Sequence, residues 1–403
     1  MPPLSPDPLP MHASPVARHP RRRHVLTLGG AAILTACART GRGQQMKSGM
    51  ADVDHLLKQA VATHATPGVV CAIGHGQQIV HRAVYGQRAV VPTPEPMTWD
   101  TVFDMASLTK AVITAPCVMQ LWEEGRLDLD DPVSRYLPQF ATAGKGDITI
   151  RHLLTHYSGL RPDLDLTQKW QGRTAAFQRV MDTVPSHPPG SGFVYSDINF
   201  LTLGFLVEKL SGMTLDVYAA RYILTPLGMN HSRFLPPPAW QGQIAPTQFD
   251  DDGHMLRGVV HDPSARRMGG VAGHAGLFSN ASDMCVYAQA LLDRRAGRPS
   301  AFPLQQQTLM MMTTPQQPQD KTDLRGLGWD ISTPYSSPRG DHFPVGSFGH
   351  TGFTGTSLWL DPQSDSYVLI LANRVHPDGH GNVIRLRHDV ATAAALALAS
   401  PRT

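Results

Sequence analysis

Of the seven lysines in the chain, one alone has a serine three residues before it: Ser107-Leu108-Thr109-Lys110. On a helix, positions three apart lie one above the other on the same face, so the Lys110 amine can reach the Ser107 hydroxyl. A serine hydroxyl needs such a neighbour before it can attack a carbonyl. Phe103 to Ala106 reads as an extended entry, and Leu108 to Trp122 as a largely buried helix that Pro116 should kink. Ser107 then sits at a helix N-terminus, where free N–H groups and the dipole favour developing negative charge. A capping serine followed by a surface lysine has the same spacing. The rest of the chain has to decide between the two.

Two other stretches could supply partners. The turn Pro189-Gly190-Ser191-Gly192 precedes Phe193-Val194-Tyr195-Ser196-Asp197, after which a helix opens at Ile198. Tyr195 is therefore on a loop entering a helix, where its hydroxyl can point into a cleft. A packed tyrosine with a satisfied hydroxyl is the plainer alternative. Gly349-His350-Thr351-Gly352-Phe353-Thr354-Gly355-Thr356 is rich in small residues. On an edge strand these would let a substrate backbone lie alongside and pair with it, whereas a bulged strand with no ligand would read the same way.

These residues need a frame to hold them. Ala51 to His64 has apolar residues at helical spacing, and Val69 to Gly74 with Gln78 to Tyr85 read as a hairpin around Gly76. A second hairpin, Gly355 to Leu360 with Ser366 to Ala372, is followed by an alanine- and leucine-rich helix from Val383 to Ala399. Ends that mirror each other in this way predict one antiparallel sheet built from both, with helices against it. Residues 105 to 310 read as mainly helical and form the second layer or subdomain. Loops are marked by Pro236-Pro237-Pro238, Pro315 to Pro318 and the glycine cluster from Gly269 to Gly276.

With 403 residues, 41% of them hydrophobic, the chain can bury a large core. The net charge of +3 comes entirely from residues 1–36, where Arg18, Arg21, Arg22 and Arg23 face Asp7 alone. A neutral body with no basic stripe and 7% aromatic residues speaks against nucleic acid as a partner. Arg21 to Ala36 has a basic head and an apolar segment of signal-peptide length, too short to span a bilayer permanently. It resembles a twin-arginine export signal, and Leu34-Thr35-Ala36-Cys37 resembles a bacterial lipobox, with Cys37 as the lipidated residue. An ordinary cleaved signal with an incidental cysteine is the alternative. Residues 1–10 form a proline-rich leader, with Met11 as an alternative start. Cys71, Cys117 and Cys285 read as buried, inert thiols. The histidines lack the helical spacing of a zinc hydrolase, so neither a metal nor a cofactor is expected.

Ser107-X-X-Lys110, Tyr195-X-Asp197 and His350-Thr351-Gly352, in this order, resemble the three motifs of the serine β-lactamase and penicillin-binding-protein family, in particular its class C-like branch. Leu153 to Leu160, Gly273-His274-Ala275-Gly276-Leu277-Phe278-Ser279 and Gly326-Leu327-Gly328-Trp329 also look like family signatures. The glycine-rich stretch, with a lipoprotein-type leader, is similar to D-alanyl-D-alanine carboxypeptidases of the low-molecular-weight class. No Gly-X-Ser-X-Gly elbow of an unrelated serine hydrolase occurs, and His274 reads as part of a closely packed loop rather than as a triad base.

The resemblance implies an α/β (α+β) fold of β-lactamase/transpeptidase type, an antiparallel sheet flanked by helices plus a mainly helical subdomain, over residues 51–399. Residues 1–36 would be leader and signal, and 37–50 a flexible linker. It implies an acyl-enzyme on Ser107, with Lys110 and Tyr195 as a coupled base. Backbone N–H groups of Ser107 and Phe353 would hold the oxyanion, and Asp197, His350, Thr351 and Gly352 would contact substrate. The expected substrate is a small molecule or a cell-wall peptide of D-Ala-D-Ala type, met by a periplasmic, lipid-anchored enzyme. A carboxylesterase of the same fold, and a penicillin-binding sensor without turnover, are the alternatives. Two positions depart from the family pattern. Asp197 replaces an Asn, and as a carboxylate beside Lys110 it would favour the ammonium and cannot donate to a substrate carbonyl. His350 stands where a lysine is common and is expected to titrate near neutrality.

Overall fold

Val69, Cys71 and Ile73 on the strand β1 (Gly68–His75) pack into one hydrophobic core, while Val70 and Ala72 pack into another. Successive side chains on a strand point to opposite faces, so a strand that is apolar throughout must be covered on both. The computed structural model describes residues 49–399 and supplies both covers. The expected leader and export signal, the candidate lipidation residue Cys37 and residues 37–48 of the expected linker lie outside the described residues.

β1 pairs on one side with β2 (Gln78–Ala89) and on the other with β10 (Ser366–Ala372), both antiparallel. The sheet has eight strands in the order β3-β2-β1-β10-β9-β8-β7-β6. Its remaining members are β3 (Glu95–Pro96), β6 (Leu324–Arg325), β7 (Asp330–Ser332), β8 (Phe348–Thr351) and β9 (Ser357–Asp361). The two chain ends therefore meet in the middle of one sheet, as their mirrored patterns predict. β4 (Phe103–Asp104) and β5 (Phe278–Ser279) form a separate two-stranded pair.

One face of the sheet is covered by α1, described over residues 49–62, and α11 (Ile384–Leu398). Met50, Val53, Leu57 and Ala60 meet Leu386, Val390, Ala391 and Ala394 there, two stripes at helical spacing. Each such side chain, fully buried, is worth roughly 1.5–3 kcal/mol if as large as Val or Leu. The helix is already under way at Met50, so the expected linker is ordered at its end. The other face meets α9 (Ala281–Arg295) and a helical subdomain. That subdomain holds α2 (Ala115–Glu123), α3 (Ile150–Thr155), α4 (Arg173–Asp182), α5 (Asp197–Ser211), α6 (Leu215–Ala219), α7 (Thr225–Leu227), α8 (Pro263–Arg267) and α10 (Gln306–Met312).

The kink expected at Pro116 takes a different form. Residues Lys110–Thr114 make a π-helical turn that runs into α2, with the Ala115 N–H donating to the Lys110 carbonyl. A widened turn absorbs a proline that lacks an N–H and crowds the preceding turn. Cys71, Cys117 and Cys285 are all free and buried. Among the described residues, no helix is long and apolar enough to cross a membrane.

Candidate active site

Ser107 follows β4 through a turn in which Ala106 adopts φ +47°, a left-handed conformation that costs a residue bearing a Cβ about 1 kcal/mol or more. Four hydrogen bonds hold it. Asp104 Oδ1 accepts the Ala106 N–H at 2.9 Å, and the Thr109 hydroxyl donates to the Ala106 carbonyl at 2.7 Å. The segment between β8 and β9 also grips this turn, with Thr354 Oγ1 donating to Asp104 O (2.7 Å) and Thr356 Oγ1 to Met105 O (3.1 Å). Gly352 makes that grip possible: a Cβ there would lie 2.1 Å from Thr356 Oγ1 and 2.6 Å from Met105 O.

Lys110 is wholly buried and its Nζ donates to Ser107 Oγ and to the His274 carbonyl, each at 2.9 Å. A third neighbour, Asp197 Oδ1, lies 2.7 Å away as an ion pair. An ammonium has three N–H bonds and no lone pair, and three acceptors surround it. Burial alone would lower the Lys110 pKa, but Asp197 and the Tyr195 oxygen outweigh it and hold the ammonium above the ordinary lysine range. Tyr195 is likewise pushed up, by burial first, against the pull of the Lys110 charge and hydrogen bonds from Ser107 and Lys110. Both members of the expected base pair thus hold their protons at neutrality.

The Tyr195 loop is shaped by the stretch Leu153 to Leu160. His156 caps α3 in the left-handed region (φ +62°) and its ring stacks on Tyr195 with centroids 4.5 Å apart. Its carbonyl accepts the Val194 N–H at 3.0 Å, and its Nδ1 accepts the Ser196 N–H at 3.1 Å. The Asp197 N–H donates to Pro162 O at 2.7 Å, which fixes the start of α5. Burial, with Arg325 and Lys110 nearby, keeps His156 neutral, as an Nδ1 acceptor must be. His156 is a positioning residue that the motif reading passed over, although it lies inside a stretch already marked as a signature.

The third wall is β8, and two expectations change there. β8 is not the edge of the sheet, because β7 and β6 follow it. Its pairing with β7 is limited to Asp330 opposite Gly349, so His350 and Thr351 still have one side free of a strand partner. His350 does not titrate near neutrality. Burial, followed by the charges of Arg325 and Lys110, takes its pKa well below the usual imidazole range. Its Nδ1 lies 2.8 Å from the Thr351 carbonyl and must carry the hydrogen there. Nε2, a lone-pair acceptor, has no partner among the described residues. A neutral ring in this tautomer offers no cation and no free donor to a substrate carboxylate, contrary to the expectation of a weak, pH-dependent grip.

Ser107, Tyr195 and His350 to Phe353 line one cleft of about 610 Å³. Lys110 and Asp197 stand behind its floor. Four charged residues in its walls were not legible from motifs: Arg325, Asp330, Arg374 and Arg387. Arg325 is buried and paired with Asp330 at 3.3 Å; its place beside Gly326-Leu327-Gly328-Trp329 was the available signal. Arg387 donates to the Gly352 and Thr356 carbonyls (2.7 and 2.8 Å) and Arg374 to the Phe353 carbonyl (2.7 Å). Together they fix the turn after β8 from α11 and the loop before it. Phe353 itself is exposed, its ring stacked on His261 at 5.5 Å. His274 lies in a loop pressed so closely on α5 that a Cβ at Gly273 would come 1.9 Å from Phe200 O. Its ring pairs with Asp262 rather than with Ser107.

Comparison with known proteins accords with this arrangement. The chain is 32% identical over 357 residues to the "Putative D-alanyl-D-alanine carboxypeptidase" of Escherichia coli K12, covering 77% of this chain and 79% of that one. A protein of the same description from Salmonella typhimurium is 32% identical over 335 residues, covering 72% and 74%. Among solved structures, EstCE1, a hydrolase with promiscuous acyltransferase activity, superposes with TM-score 0.70 at 22% identity, over 87% of this chain and 99% of that one. A class C β-lactamase gives TM-score 0.69 at 21% identity, over 85% and 95%. These two show the fold. The family model named Beta-lactamase matches residues 53–392, and the chain belongs to that family.

Proposed function

We propose that the chain is a serine hydrolase that forms an acyl-enzyme on Ser107 and acts on cell-wall peptides of D-Ala-D-Ala type or on related β-lactam and amide substrates. The observation that carries this reading is the Ser107 Oγ to Lys110 Nζ distance of 2.9 Å at the floor of the cleft. Two relatives described as carboxypeptidases support the peptide substrate class.

In the reaction, Ser107 Oγ bonds to the substrate carbonyl carbon while its proton passes to the Lys110–Tyr195 pair. The pair must first lose one proton, since both groups hold theirs at neutrality. Lys110 faces three acceptors, so Tyr195 is the member free to take the serine proton and hand it to the leaving amine. The N–H groups of Ser107 and Phe353 have no backbone partner among the described residues and would receive the oxyanion. One such donor is typically worth about 3 kcal/mol. Thr351 and the free side of β8 would align the substrate, and Asp197 would orient Lys110 rather than donate to a carbonyl. Water then releases the acyl group. The export signal and Cys37 support placing this activity in the periplasm on a lipid anchor.

The test is intact-mass spectrometry of residues 46–403 after exposure to penicillin and, separately, to p-nitrophenyl butyrate, with Ser107→Ala as control. A penicilloyl adduct on the unaltered protein alone supports the cell-wall reading. Ester turnover without an adduct moves the chain to the carboxylesterases of this fold, and silence toward both overturns the hydrolase reading. A stable adduct without turnover of a D-Ala-D-Ala peptide identifies a penicillin sensor.

A further inference from the structure

Behind Lys110 lies a second buried pair. His274 Nε2 is 2.7 Å from Asp262 Oδ1, and the same Asp262 oxygen accepts the Ala265 N–H at 2.7 Å as the cap of α8. The His274 side chain is 1% exposed. A carboxylate oxygen of Asp197, one of Asp262 and a ring nitrogen of His274 lie within 4.8 Å of one another. Asp197 thus has two basic side chains close to it, Lys110 and His274. The groups that act on His274 are Asp262 before α8, Asp197 at the start of α5, Lys110 in the π turn and Asp163 in the loop after α3.

We propose that Asp262 and His274 are a positioning pair for the reaction, holding a second cation beside Asp197 so that the Lys110–Tyr195 pair can release the proton it must lose to act as base. The proposal rests on the acyl-enzyme reading of Ser107. Asp262 fixes the imidazole, the imidazolium offsets the Asp197 charge, and the His274 carbonyl keeps Lys110 Nζ beside Ser107 Oγ. Burial disfavours a charged His274, but Asp262 and Asp197 raise its pKa above the ordinary range. Without that cation, Asp197 and Asp262 would bear on Lys110 and Tyr195 together, and both would keep their protons to higher pH.

The expected signature is in the pH profile. In His274→Gln, the limb along which kcat/KM for p-nitrophenyl butyrate rises with pH moves up by roughly one unit. Adding Asp262→Asn removes one negative charge and returns the limb toward its original place. A uniform loss at every pH with the limb unmoved, or a double variant that fails to return it, overturns the proposal and leaves the pair a packing feature. A measurement on the unaltered protein covers the case in which His274→Gln does not fold: the 15N shifts of the His274 ring must report an imidazolium at neutral pH, and a neutral ring overturns the proposal. If the unaltered protein neither cleaves the ester nor takes up penicillin, the hydrolase reading fails by itself, and the ring titration still decides whether the second cation exists.

Discussion

Lys110 Nζ and Asp197 Oδ1 stand 2.7 Å apart, with the lysine wholly buried and the aspartate side chain 19% exposed. The related family motif has an amide at this position. One oxygen in place of a nitrogen turns a neutral neighbour of the lysine into a charged one, and the ammonium becomes the resting state.

Asp197→Asn should therefore shift the rising limb of kcat/KM to lower pH. The substitution removes a charge that raises the Lys110 pKa and leaves the opposing effect of burial in place. The expected displacement is about one unit or more, the usual effect of a charge at this distance. It is read from the pH profile with p-nitrophenyl butyrate, and an unmoved limb would show that Asp197 does not govern the base.

His350 should remain a neutral ring across the working range. Its pKa lies well below the ordinary imidazole value, through burial and then the charges of Arg325 and Lys110. In a histidine-selective NMR titration, its signals are expected to show no inflection near about pH 6.5, where an unperturbed imidazole loses its charge. An inflection near 6.5 would mean that water enters the cluster.

Gly352→Ala should damage both stability and catalysis. The added methyl would meet Thr356 Oγ1 and Met105 O at distances no real contact allows, so either the turn before Ser107 or the end of β8 must move. Overpacking of this kind costs roughly 1–3 kcal/mol, measurable by urea unfolding. The Ser107 turn moves with it, so acylation by penicillin should slow at least as much as stability falls.

Acid resistance draws on Glu95, which is not among the residues that line the cleft. The carboxylate pairs with Arg88 and Arg257, and the Arg257 hydrogen bond leads in taking its pKa from 4.5 to about 2. A folded-state value below the unfolded one means stability that is present above pH 4.5 and lost as pH falls toward 2. Linkage caps the contribution at about 3 kcal/mol, and partial exposure reduces it. Glu95→Gln should lower the unfolding free energy at pH 7 and leave it almost unchanged near pH 2, as measured by urea titration at both values.

The two hairpins and the terminal helices were legible from simple signals, a short apolar run bounded by turn residues in Val69 to Gly74 and a spacing of roughly 3.6 in Leu386 to Ala394. Ser107, Lys110, Tyr195 and His350 to Phe353 were legible as residue types in order, and the structure brings all but the buried Lys110 to the lining of one cleft, with Lys110 Nζ against Ser107 Oγ. What spacing could not express was charge at a distance. Asp262 approaches the site from the position before α8, and Arg325 from the two-residue strand β6, and neither is itself part of a motif that specifies its charge. The neutrality of His350 follows first from burial and then from the charges of Arg325 and Lys110, all of which exist only in the folded chain. The position of β8 within the sheet was also hidden, since β6 and β7 are too short to have a readable period.

The adjacency of β1 and β10 has a consequence for how the protein is made. The nucleophile turn leaves the ribosome well before the Thr354 and Thr356 hydroxyls that hold it, which lie 250 and 251 residues further along the chain from Asp104 and Met105, and before the strand that closes the sheet beside β1. Contacts so distant along the chain are slow to form, because loop closure precedes their reward. A chain that has not yet made the segment between β8 and β9 therefore carries Ser107, Lys110 and Tyr195 without the contacts that hold the Ser107 turn, and on the proposed function its reactivity toward acyl donors would wait for that segment.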